Sequence, residues 1–78
     1  MPTIERWRGY RFYLYSHEPN EPPHIHVDAR ACSAKFWLQP VAVARDVSFA
    51  AKEMAELLSH VRQRQVAFLE ARNGYFGA

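Results

Sequence analysis

The sequence is short of almost everything that marks a specialised class of protein. It holds one cysteine, Cys32, so no disulfide can form within the chain, and a reducing, cytoplasmic setting is expected. Its three glycines, at positions 9, 74 and 77, are too scattered for a phosphate-cradling loop. No apolar run approaches the roughly 20 residues of a membrane-spanning helix, and MPTIERWRGY lacks the apolar core of a secretory leader. An excess of one charge is missing too: ten Lys and Arg face eight Asp and Glu, a net charge of +2. That balance permits an anionic partner without requiring one. Ser16, Ser33, Ser48 and Ser59 lack the setting of a nucleophile elbow.

What the 78 residues do contain is core-forming material. Hydrophobic residues make up 49% and aromatics 14%, which excludes a disordered chain. A chain of this length is one domain, residues 1–78, and buries only roughly 60% of its unfolded surface. Its stability is therefore marginal, and association with a second copy or a partner would relieve that.

The chain divides near residue 48. Before it lie β-branched and aromatic runs that read as strands, spanning about 3–47: residues 3–7, 10–16, 24–29, 33–39 and a weaker one at 41–47. The segment HEPNEPP at 17–23 is a loop, because its prolines cannot donate to a ladder. After residue 48 the periodicity becomes helical. Met54, Leu57, Leu58, Val61, Phe68, Leu69, Tyr75 and Phe76 fall in one arc, with Lys52, Glu56, Gln63 and Glu70 opposite. One helix over about 49–73 is expected, with Ser48 as N-cap and Asn73-Gly74 as the stop; a break near Ser59-His60 would divide it in two. The architecture is α+β: an antiparallel four- to five-stranded β-meander packed on one long C-terminal amphipathic helix.

Alternation assigns faces within the strands. Phe12, Leu14, Ile25, Val27, Phe36 and Leu38 turn inward. Arg11, Tyr13, Tyr15, His24, His26, Asp28, Lys35 and Trp37 fall on the other face, which is expected to be open, aromatic, basic and histidine-bearing.

The start MPTI, the run GYRFYLYSHEPNEPPHIHV, the segment AKFWLQP and the ending NGYFG together resemble a bacterial family of small proteins classed as a domain of unknown function. The resemblance covers nearly the whole chain, and its most specific part is Glu21-Pro22-Pro23-His24-Ile25-His26-Val27. It implies a component of a toxin–antitoxin-like or other paired small-protein locus and brings no established activity. One departure is Arg72, where relatives usually carry Trp.

The residues admit three chemistries. Two histidines two apart on a strand share a face, so His24 and His26 suit an acid–base pair for metal-free RNA cleavage, with Lys35 or Arg11 steadying the phosphate and Tyr13, Tyr15 or Trp37 stacking a base. The same pair, with Asp28 or Glu21, could ligate Zn²⁺ or another transition metal, although no cysteine cluster completes a tetrahedron. The third reading is a surface for protein complexes, centred on Glu21, Tyr13, Tyr15, Trp37 and Arg11, because an aromatic patch in excess of solvation needs is more often an interface. This reading leads: a small protein partner or a homo-oligomer is expected, with no cofactor, no membrane and RNA as the alternative ligand; whether the chain is an enzyme stays open. Mixed charge on the helix disfavours docking in a DNA groove. Arg72 is expected to snorkel and Cys32 to be a spare thiol. His17 and His60 are isolated in sequence and take no role.

Overall fold

The computed structural model describes residues 3–14 and 21–76. The elements run β1 (Thr3–Trp7), β2 (Tyr10–Tyr13), β3 (His24–Ala29), β4 (Cys32–Leu38), β5 (Val41–Val47), α1 (Ala51–Gln63) and α2 (Gln65–Phe76). The strands form one antiparallel meander in chain order. The connections are short. Arg8 and Gly9 join β1 to β2 with both φ values positive (52° and 84°), the geometry a two-residue hairpin turn needs and glycine adopts without steric cost. Arg30 (φ 57°) serves the β3–β4 turn, and Gln39-Pro40, a cis peptide, the β4–β5 turn.

The inner row is as the alternation requires. Phe12, Leu14, Ile25, Val27, Phe36 and Leu38 are all buried, in one cluster with Met54, Leu57, Val61 and Phe68 from the helices. Tyr10, Ala29, Ala34 and Phe49 complete it. The second strand is shorter than expected: regular pairing ends at Tyr13, and Tyr15, Ser16 and His17 lie outside the described residues.

The single long helix is corrected to two. The chain leaves helical geometry at Arg64 (φ −102°, ψ 11°), not at Ser59-His60. A straight helix of some 24 residues would run about 36 Å, beyond the molecule's greatest extent of 34 Å. The apolar arc also has no buried residue between Val61 and Phe68. Turning at Arg64 lets Phe68 fold back onto Phe12, ring centroids 5.5 Å apart, while Gln65 Nε2 donates to Leu38 O at the end of β4. Ser48 is not the N-cap. That place is Ala50, with Glu53 reaching back to its N–H at 3.3 Å, while Ser48 takes a left-handed turn (φ 75°) and Asp46 Oδ1 accepts from Phe49 N. Asn73-Gly74 does not stop the helix either, since α2 continues to Phe76, and Tyr75 is exposed.

Both edge strands are bulged. Thr3 pairs with Tyr13 but Glu5 with Phe12, so Ile4 is the extra residue in β1. Lys35 pairs with Arg45 but Phe36 with Val43, so Ala44 is the extra residue in β5. An extra residue reverses the alternation beyond it. Glu5 and Trp7 thereby join the inner row, and Arg45 comes out beside Lys35.

Phe68 is the one α2 side chain wholly buried among the described residues, so it holds that helix to the sheet. Phe68→Ala should cost about 3–5 kcal/mol, most of the stability of a domain this small. Chemical denaturation would show it, with amide exchange in α2 rising ahead of the sheet.

Candidate functional site

The outer face of the sheet gathers most of the site residues expected from the sequence. The register aligns Tyr13, His26, Lys35 and Arg45 in one row across β2–β5, with His24 beside Trp37 and Arg11 beside Asp28. His24 and His26 lie edge to face with ring centroids 5.1 Å apart and planes at 85°. Tyr13 stacks on His26 at 5.3 Å, and Trp37 meets His24 edge-on at 5.8 Å.

This face is not open where the histidines stand, which corrects the expectation. His24 and His26 are each 6% exposed and Tyr13 7%, as buried as core residues, because β3 is central and its polar side chains pack against rings on both neighbouring strands. The polar groups are engaged accordingly. His24 Nδ1 lies 2.9 Å from Pro22 O; a carbonyl only accepts, so Nδ1 carries a hydrogen. Tyr13 donates its hydroxyl to Asp28 Oδ1 at 3.1 Å. Lys35 Nζ sits 2.5 Å from Glu21 Oε1, the same oxygen that lies 3.8 Å from His24 Nδ1, and rides over the Trp37 ring at 4.7 Å. Arg11 covers Tyr13 at 4.5 Å and donates through Nε to Thr3 Oγ1. Among the described residues no cluster of three or more His, Cys, Asp or Glu is placed to hold a metal.

What remains accessible is a recess of about 280 Å³ lined by Glu21, His26, Lys35, Trp37, Ala44 and Arg45. Its two cations, its imidazole floor and its tryptophan wall suit an anionic group with apolar surroundings. Arg45 was missing from the sequence-level site because only the bulge at Ala44 brings it there.

His60, given no role from the sequence, anchors a second polar cluster. Its ring stacks on Trp7 with centroids 3.9 Å apart and planes within 8°. Its Nε2 donates to Glu5 Oε2 at 2.5 Å, while Arg64 Nε donates to Glu5 Oε1 at 2.7 Å. Burial pushes the Glu5 carboxyl up, but the hydrogen bonds from His60 and Arg64, together with their charges, outweigh it and hold the pKa below 4.5. A sequence signal for His60 existed: it falls in the apolar arc between Leu57 and Val61, where a titratable side chain needs a partner. None existed for Glu5, whose inward direction depends on the Ile4 bulge. At the other end of α1, Glu53 accepts from Tyr10 OH at 3.0 Å and pairs with Arg30 at 2.5 Å. Cys32 opens β4 and points its thiol at Ser48 O, 3.4 Å away. Arg72 is half-buried.

A family model described as "Domain of unknown function (DUF4160)" matches residues 9–71. Neither the curated proteins nor the solved structures returned a match. The match spans most of the chain, which therefore belongs to the DUF4160 family.

The lowered Glu5 pKa ties stability to pH. The carboxylate is stabilised in the folded state, so its contribution is complete above the unfolded value near 4.5 and disappears as pH falls through the lower folded value. Glu5→Gln should lower the melting temperature at pH 7. The gap to the native protein should close in acid, and an undiminished gap at low pH would show that the pairing of a charged carboxylate is not what stabilises the native chain.

Proposed function

We propose that this DUF4160 chain is a small cytoplasmic bacterial protein of a paired, toxin–antitoxin-like system, and that it works by forming a protein complex through the outer face of its sheet. The observation that carries this reading is the one-sided architecture. Both helices pack on the inner row, and the other face presents Trp37, Lys35, Arg45 and Arg11 around a recess, with neither helix laid over it. Strand β5 adds Val47, exposed at 42% and paired with Ser33, to the rim of that face. Aromatic and arginine anchors beside a desolvated polar floor are what protein interfaces use for binding energy. Arg45, which the bulge brings out beside Lys35, favours an acidic partner segment, and the paired-locus setting comes from the resemblance of the EPPHIHV, MPTI and AKFWL segments to the bacterial family.

The second reading, metal-free RNA cleavage, draws on the juxtaposition of His24 and His26 on one face. It asks for a phosphate between the two imidazoles. With ring centroids 5.1 Å apart, the rings would have to separate before one could enter. Lys35, its proposed phosphate partner, would also have to leave Glu21. Complex formation needs neither rearrangement and is the reading adopted.

The test is co-expression of this chain with the product of the neighbouring reading frame, followed by size-exclusion chromatography with light scattering. Co-elution of the two chains is expected, or a mass twice 9.1 kDa if the partner is a second copy. The Trp37→Ala/Arg45→Glu variant, altered on the sheet surface alone, should stay folded and lose complex affinity by about tenfold or more. A monomer with no complex in either case would sink the proposal. Growth arrest with RNA fragmentation on expression alone, lost in a folded His26→Gln variant, would move the assignment to the nuclease reading.

A further inference from the structure

The second polar cluster borders a cleft on the opposite side of the sheet from the proposed interface. It opens between the β1–β2 turn and α1, has a volume of about 530 Å³, and is lined by Trp7, Arg8, Ala55, Glu56, Ser59, His60 and Gln63. That volume is in the range of small-molecule sites, about 300–1,000 Å³.

We propose that this cleft binds small aromatic anions, the class that includes nucleoside monophosphates, with Trp7 as the stacking surface, Arg8 as the anion anchor and His60 Nδ1 as a hydrogen-bonding group at the floor.

The state of His60 is the first observation. Its Nε2 is committed to Glu5, a carboxylate that Arg64 holds in place, so turning the ring breaks that hydrogen bond. Nδ1 has no hydrogen-bond partner, yet no buried side-chain nitrogen or oxygen among the described residues lacks one. Nδ1 therefore reaches solvent, and the cleft is the space that the ring lines. A carboxylate fixing the far nitrogen of an imidazole is the arrangement that orients a histidine towards a ligand.

The conformation of Arg8 is the second. Its φ of 52° is left-handed, a place where the turn is best served by glycine, asparagine or aspartate, and the sequence spends an arginine there. Among the described residues the guanidinium makes no ion pair; it lies over the Trp7 ring, 4.8 Å from the centroid. His60 stacks on Trp7 at 3.9 Å and Tyr10 lies at 5.9 Å with its plane 28° away, while the Arg8 guanidinium covers the face that a ligand would use. A planar ligand can take that face as Arg8 swings aside, and the displaced guanidinium is then positioned for the ligand's anionic group. The side chains of Glu56, Ser59 and Gln63 also line the cleft without hydrogen bonds or ion pairs to other described residues, so they can meet hydroxyl or amine groups. Elsewhere the half-buried carboxylates Glu5, Glu21, Asp28 and Glu53 are all paired within the protein. The cleft is where polar side chains are left uncommitted together.

The experiment is a titration of ¹⁵N-labelled protein with adenosine monophosphate, adenosine and inorganic phosphate, followed through the Trp7 indole, the His60 ring and the α1 amides. Adenosine monophosphate should give saturable shifts confined to residues 7, 8 and 55–63, with adenosine and phosphate each at least about tenfold weaker. Arg8→Gly suits the turn, so it should keep the fold and weaken the nucleotide by about tenfold, while adenosine binding is unchanged or improved. Phosphate matching the nucleotide would reveal an adventitious ion only and overturn the proposal. Absence of saturable shifts up to about 10 mM, or shifts unaltered by Arg8→Gly, would overturn it as well. Loss of the protein–protein complex would not bear on this result, because the outer-face residues take no part in it.

Discussion

Everything described here depends on how α1 is seated across one face of the meander. Burial of Met54, Leu57 and Val61 draws the helix down but does not set its direction, because apolar contact is non-directional. Direction comes from two carboxylates at opposite ends. Glu53, in the first turn, ties α1 to Tyr10 on β2 and to Arg30 in the β3–β4 turn. Glu5, on β1, takes His60 and Arg64 at the far end. Both ends of one helix are thus fastened to the sheet by charge-assisted hydrogen bonds, which are stronger than neutral ones and demand a particular geometry. The helix then turns at Arg64, because the residue that closes α1 is also a partner of Glu5.

The two proposed surfaces differ in how their charges are handled. On the outer face, Lys35 is compensated by Glu21, and Tyr13 by Asp28, around imidazoles sealed almost as completely as Ile25 and Val27. In the cleft beside Trp7, Glu56 and Gln63 make no hydrogen bond or ion pair to other described side chains, and Arg8 lies over the Trp7 ring, above a histidine that is fixed from behind. The first arrangement is a finished surface able to receive another surface. The second is unsatisfied and suits a small ligand.

Much of the fold is legible in the sequence. The inner row from Phe12 to Leu38 follows from alternation alone, and the grouping of His24, His26, Lys35 and Trp37 on one face follows from the same rule. Alternation reports direction and not cover, so the burial of the two histidines could not be read from it. It also fails wherever a strand gains a residue. Ile4 and Ala44 each do this, which hid the inward course of Glu5 and the arrival of Arg45 beside Lys35. Helical periodicity located the apolar arc but not the turn at Arg64, because the backbone hydrogen bonds Arg64 N to His60 O and Phe68 N to Arg64 O carry the pattern across it. Periodicity does mark His60, a titratable residue in the middle of a buried stripe, as a side chain that needs a partner.

The paired irregularities at Ile4 and Ala44 have a further consequence. A five-stranded meander has two unsatisfied borders, and chains that add to such borders in register can keep adding without limit. Here both borders carry an inserted residue, so neither offers an uninterrupted run of donors and acceptors to a neighbour. Growth by strand addition is thereby discouraged on both sides. Association through the proposed sheet face would instead let one partner fill the site and leave no new copy of it exposed, giving a fixed stoichiometry rather than the open-ended length of a fibre.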